Sequence, residues 1–164
     1  MNPLDLVQVI RQNHSLEHAT MHILSWHNPY LRAAGRTTPA GFYIYGKLET
    51  ESVANAATEA LVRLQQGEGH LAVHPRCGTN LAVTGIMAGT AAFGVGLGHR
   101  RARLDLFPMA LTAAMLAAVA AQPLGHIIQE RITTTPELAG VTILDVQRQE
   151  RGSLVIHKVL VGRE

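Results

Sequence analysis

The sequence holds a single cysteine, and only 4% of its 164 residues are aromatic and 16% charged. One cysteine excludes an intramolecular disulfide framework. With 14 Lys+Arg against 12 Asp+Glu neither sign dominates. The only basic cluster is Arg100, Arg101 and Arg103, so no nucleic-acid partner is expected. A hydrophobic content of 47% excludes a disordered or collagen-like chain and suffices for a domain core. What the chain has in quantity is histidine, nine residues, which puts metal or proton chemistry first among the classes to test.

Charge is also absent locally. Residues 78–98 and 106–129 contain no Asp, Glu, Lys or Arg, and the short polar segment 99–105 separates them. A helix needs about 20 residues to cross a hydrocarbon core of about 30 Å, and both runs have that length, so a two-helix transmembrane hairpin is expected. The first run is the weaker. Leu81, Val83, Ile86, Phe93, Val95 and Leu97 are diluted by five glycines, and insertion gains only roughly 2–4 kcal/mol. Gly85 and Gly89 form a G-x-x-x-G spacing, and Ala110, Ala113, Ala114, Ala117, Ala118 and Ala121 a small-residue face, so close helix packing is expected. A Gly/Ala-rich buried hairpin of a soluble protein is the alternative. The positive-inside rule puts the Arg-rich turn in the cytoplasm, whereas residues 1–10, with Asp5 and no basic start before an apolar core, do not read as a cleavable signal and leave the opposite orientation open.

The opening segment begins at Asn2-Pro3, a cap followed by proline, and stops at Asn28-Pro29, so a helix is expected between them. At 100° per residue Val7, Ile10, His14, Glu17, His18 and Met21 share one face. Ionisable groups in an apolar stripe cost several kcal/mol unless satisfied, and a bound cation would use the imidazole lone pairs. His14-Ser15-Leu16-Glu17-His18 is an H-x-x-E-H pattern: its two histidines, four apart, can chelate zinc, and its glutamate can act as the base. Further ligands are offered by His74-Pro75-Arg76-Cys77-Gly78, where two ligand-type residues three apart flank a proline and precede a glycine, the shape of a zinc knuckle with its first cysteine replaced by histidine.

Together, His14 to His18 and, some sixty residues on, His74-Pro75-Arg76-Cys77-Gly78-Thr79 leading into a hydrophobic helix resemble an uncharacterised bacterial membrane-protein family described as metal-dependent enzymes, with the signature H-x-x-E-H followed by H-P-x-C-G-T. The resemblance covers about the first half of the chain plus the hairpin. Asn80 stands where related sequences often carry serine, and the last forty residues have no counterpart. The resemblance implies His14, Glu17, His18, His74 and Cys77 as the site.

Elsewhere, residues 41–46 read as a short aromatic strand and 50–66 as a helix with Val53, Ala56, Ala57, Ala60, Leu61 and Leu64 inward. Tyr43 and Tyr45 suit packing, a membrane interface or a substrate groove, while Glu68 and His70 are spare ligand types. Residues 141–147 and 154–161 alternate as a terminal β-hairpin. His22, His27, His99, His126 and His157 have no distinguishing spacing, although His22 lies one turn beyond His18.

The expected fold is mainly α: a metal-site region over 1–78, a transmembrane hairpin over 79–129 and a C-terminal β-hairpin over 130–164. The expected location is the bacterial inner membrane, with two spans and membrane lipid as a partner. The function read from these residues is zinc-dependent, peptidase-like hydrolysis of a peptide or lipid-linked substrate near the bilayer surface. His14, His18, His74 and Cys77 hold the metal and Glu17 acts as base. Four protein ligands would close the site, and the alternative is a non-catalytic zinc-stabilised module that binds or scaffolds a partner. Haem ligation lacks any attachment signature.

Overall fold

The computed structural model describes residues 2–97 and 104–163; the basic cluster Arg100, Arg101 and Arg103, and with it His99, lies outside the described residues. The chain divides into two units, Met1–His74 with Glu130–Glu164, and Pro75–Gln129.

In the first unit, α1 spans Pro3–His27. Its start is a capping box: Asn2 Oδ1 accepts the Leu4 N–H at 3.3 Å and Asp5 accepts the Asn2 N–H at 3.1 Å. Burial along α1 begins only at Asn13, and Val7 and Ile10, expected inward, are exposed. The stripe that enters the core is Leu16, Ala19, Ile23 and Leu24. Against it packs α2, Thr50–Gln65, through the residues its periodicity predicted.

Beside the helices lies a four-stranded antiparallel sheet of order β1-β2-β4-β3, with β1 Ala34–Thr38, β2 Gly41–Tyr45, β3 Val141–Arg151 and β4 Leu154–Arg163. Phe42 and Ile44 of β2 and Val159 and Val161 of β4 face the helices. The terminal β-hairpin is present, and it does not stand alone, because β4 pairs with β2 on its other side.

The second unit is a pair of packed helices, α3 (Gly78–Gly96) and α4 (Phe107–Ile128), the latter running on into a π-helical turn, Gln129–Thr133. Its exterior is apolar: Leu81 is 76%, Phe93 70% and Val119 68% exposed, and α3 has no buried residue. Among the described residues one helix, Phe107–Thr133, is long and apolar enough to cross a membrane. The two-span expectation is corrected on this point, because Asn80, three threonines and the glycines dilute α3. The G-x-x-x-G expectation also fails, since a side chain added at Gly85 or Gly89 would meet nothing. The close approach is at Gly125, where an added Cβ would overlap the Asn80 side chain. Asn80 is fixed there, accepting from Gln129 Nε2 at 2.6 Å and donating to the Pro75 carbonyl at 3.0 Å.

Candidate metal centre

The first unit gathers four imidazoles. The rings of His14 and His18 lie 4.2 Å apart between centroids, those of His18 and His74 5.8 Å, and those of His22 and His74 4.8 Å. With Zn–N bonds of about 2.0–2.1 Å, two imidazoles on one tetrahedral ion stand about 5 Å apart between centroids; of the four rings, His14 and His18 bring ligand atoms within 4.8 Å of each other.

Two stretches of chain hold these rings in place. One is 131–137, laid along the early turns of α1. Arg11 donates to the Thr134 carbonyl from Nε at 3.0 Å and from Nη2 at 2.7 Å, Gln12 donates to the Glu137 carbonyl at 3.0 Å, and the Ser15 hydroxyl donates to the Thr135 carbonyl at 2.7 Å. Within this strip His14 Nδ1 meets the Thr133 carbonyl at 3.0 Å. The other stretch follows the 3-10 turn Gly69–Ala72: His18 Nδ1 meets the Ala72 carbonyl at 2.7 Å and His22 Nε2 the Val73 carbonyl at 2.9 Å. A carbonyl can only accept, so His14 and His18 each donate from Nδ1 in these contacts. This outer hydrogen bond is the device by which metal-ligating histidines are oriented and made more basic. The Thr133 hydroxyl is buried with no hydrogen-bond partner.

Glu17 is buried and turns toward β1. Taking His14 as zero, His18 sits at about +40° and Glu17 at about −60° around the helix, which places the carboxylate at the β1 side of the pair. The Thr37 hydroxyl donates to Glu17 Oε2, and the carboxylate lies against Gly35, where an added Cβ would overlap it. Gly35 therefore leaves room for a charged group to reach the strand.

In the second unit, Cys77 is buried and caps α3, its Sγ accepting the Thr79 N–H at 3.4 Å. An N–H aimed at the sulfur belongs to the zinc-knuckle shape and suits a sulfur carrying negative charge. Gly78 differs from expectation: it opens the helix with an ordinary φ in place of a tight reversal.

The structure brings His22 beside His74, and the spacing of four from His18 is the sequence signal that marks it. Gly35, Thr37 and the carbonyls of Ala72 and Thr133 carry no motif. Away from the centre, His157 on β4 is fully buried, its Nε2 3.3 Å from the Thr50 hydroxyl and its Nδ1 without a partner. Burial, reinforced by Arg148 and opposed by Glu49, holds its pKa below the usual histidine value.

Residues 9–146 match the family described as domain of unknown function DUF6391. An uncharacterized protein of Picosynechococcus sp. (strain PCC 7002) is 38% identical over 135 residues, covering 76% of this chain and 65% of the relative. The chain thus spans just under two thirds of the length of that curated relative. No solved structure matches. The expected kinship with an uncharacterised family is met, and neither description names a metal or a reaction.

Proposed function

The chain belongs to the DUF6391 family, and we propose that this member is a membrane-attached zinc protein that hydrolyses a peptide or lipid-linked substrate near the bilayer surface. The observation that carries the reading is the pair of carbonyl anchors on His14 and His18, each meeting a backbone oxygen through Nδ1, the outer hydrogen bond that orients a metal-ligating imidazole. His14 and His18 would supply two ligands from the first unit, and the Cys77 thiolate is proposed with them on the chemistry of its sulfur. His74 stands beside His18. Cys77 follows it by three residues, so the chain alone keeps the two Cα atoms within about 11 Å. Imidazole and thiolate donors together suit zinc.

Bound there, zinc would polarise a carbonyl or phosphoryl oxygen of the substrate. Glu17, kept in place by Thr37, takes up the proton released as water attacks. The apolar helix Phe107–Thr133 supports attachment to the membrane.

A second reading is favoured by the Thr37 contact itself. Pinning α1 to β1 gives Glu17 a structural task, and a closed zinc site that steadies a partner-binding module would need nothing more.

Zinc content and hydrolysis of a fluorogenic peptide library by the detergent-purified chain test both. About one zinc per chain is expected, with H14A/H18A and C77A losing most of it; full metal content in H14A/H18A rejects the ligand set. E17Q should keep zinc and lose at least about 100-fold in rate. Unchanged hydrolysis by E17Q excludes Glu17 as the base.

A further inference from the structure

The first turns of α1 carry apolar side chains that the core does not take up. Leu4 is 75% exposed, Val7 53% and Ile10 37%, and burial begins only at Asn13. The sheet meets this stretch on another side: Arg163 of β4 donates to the Val9 carbonyl at 3.1 Å, to Gln12 Oε1 at 2.9 Å and to Asn13 Oδ1 at 2.6 Å. Charge is kept off the apolar stripe. Residues 3–13 hold two charged side chains, Asp5, which closes the capping box, and Arg11, which is turned onto the Arg131 and Thr134 carbonyls.

What lies at the end of the stripe decides its partner. Leu4, Val7, Arg11 and His14 follow one another at helical spacing, so they share one side of α1. On that side Arg11 meets the Arg131 and Thr134 carbonyls and His14 the Thr133 carbonyl, and Ile132 among them is 63% exposed. Residues 130–133 belong to the first unit and are also the last turn of the 27-residue apolar helix Phe107–Thr133. Such a helix rises about 40 Å, more than a hydrocarbon core of about 30 Å, and Glu130 and Arg131 put this end among the headgroups. The stripe therefore starts where the chain leaves the bilayer.

We propose that the first turns of α1 dock on the lipid surface, with Leu4 and Val7 inserted among the acyl chains and Ile10 at the rim. Exposed apolar patches of this kind mark protein or membrane contacts, and lipid is the neighbour that covalent continuity with the apolar helix brings to this one. Interfacial helices sink their apolar face about 5–10 Å past the headgroup boundary, within reach of two side chains in the first turns. The proposal rests on the membrane attachment read above and on no property of the zinc. Docking would bring His14, one turn beyond Ile10, within about 6 Å of helix rise of the lipid contact.

The test uses the full chain reconstituted in phosphatidylcholine vesicles, with W26F removing the single native tryptophan. One reporter is placed at a time, L4W, V7W or Y30W, the last at a 92% exposed position beyond the far end of α1. Flotation comes first: chains that stay out of the vesicle fraction overturn the membrane attachment and this proposal with it. In chains that float, lipid brominated on its acyl chains is expected to cut the emission of L4W and V7W roughly twofold and to leave Y30W unchanged. Adding L4E to V7W should abolish the quenching while the chain still floats, held by its apolar helix. Glutamate suits the first turn of a helix, so L4E leaves α1 formed, and L4W and V7W read the contact independently if either folds poorly. Unquenched L4W and V7W in floating chains overturn the docking and leave the attachment standing. A blue-shifted but unquenched reporter overturns it in favour of a second copy on this face, and equal quenching of Y30W overturns its confinement to these turns.

Discussion

The two units use apolar side chains in opposite ways. In the first, Leu16, Ile23, Phe42, Leu64 and Val159 are hidden between two helices and a sheet. In the second, Leu81, Phe93, Met115 and Val119 point outward, and α3 buries nothing. Apolar content therefore says little about where a helix lives. α2, with only six buried positions, is a core helix because they fall on one side, whereas α4 packs on α3 and leaves most of its apolar side chains exposed. A surface of this kind is stable in contact with lipid and is a liability in water.

The sharpest way to break that contrast is to remove one phenylalanine from each unit. F42A should cost about 3–5 kcal/mol in denaturant unfolding of the detergent-solubilised chain, and F93A within about 0.5 kcal/mol. Comparable losses would mean that the hairpin has a core of its own. Next in size is G125V, which drives a branched side chain into Asn80 and should cost about 1–3 kcal/mol by overpacking. G85V, with open space at that position, should be near neutral; the reverse order would restore the G-x-x-x-G seam.

The smallest effect sharpens the first unit alone. His157 has a depressed pKa in the folded chain, so the unfolded chain binds more protons below the unfolded value of about 6.5. Its contribution is fully present above pH 6.5 and is lost as pH falls toward the folded value. The melting temperature of the wild type should drop on acidification by more than that of H157N, and parallel curves would remove His157 from the account.

Much of this was legible in the sequence where local chemistry decides. Asn2-Pro3 and Asn28-Pro29 bracket α1 to the residue, and the period of Val53, Ala56, Ala57, Ala60, Leu61 and Leu64 gave the inner face of α2. Aromatic residues between glycines marked β2, and alternation the terminal strands. β1 escaped because Ala-Gly-Arg-Thr-Thr has no apolar alternation; it is a strand through its pairing with β2. The buried face of α1 was misread at Val7 and Ile10, because what covers a helix is a tertiary fact. The H-x-x-E-H spacing placed His14 and His18 side by side, but it says nothing about the carbonyls that set their protons, which come from residues 54 and 119 positions away. It also put Glu17 on the same face of the helix, but says nothing about Gly35, which leaves that carboxylate room beside the strand.

The interior place of β4 has a temporal cost. β2 leaves the ribosome long before its partner strand, and at about 5–20 residues per second the wait is on the order of ten seconds. Throughout that interval Phe42 and Ile44 have no Val159 or Val161 to meet. The hairpin of α3 and α4 is therefore synthesised while the sheet of the imidazole-bearing half is still incomplete, so the metal loading proposed above would fall in the last moments of synthesis or after them.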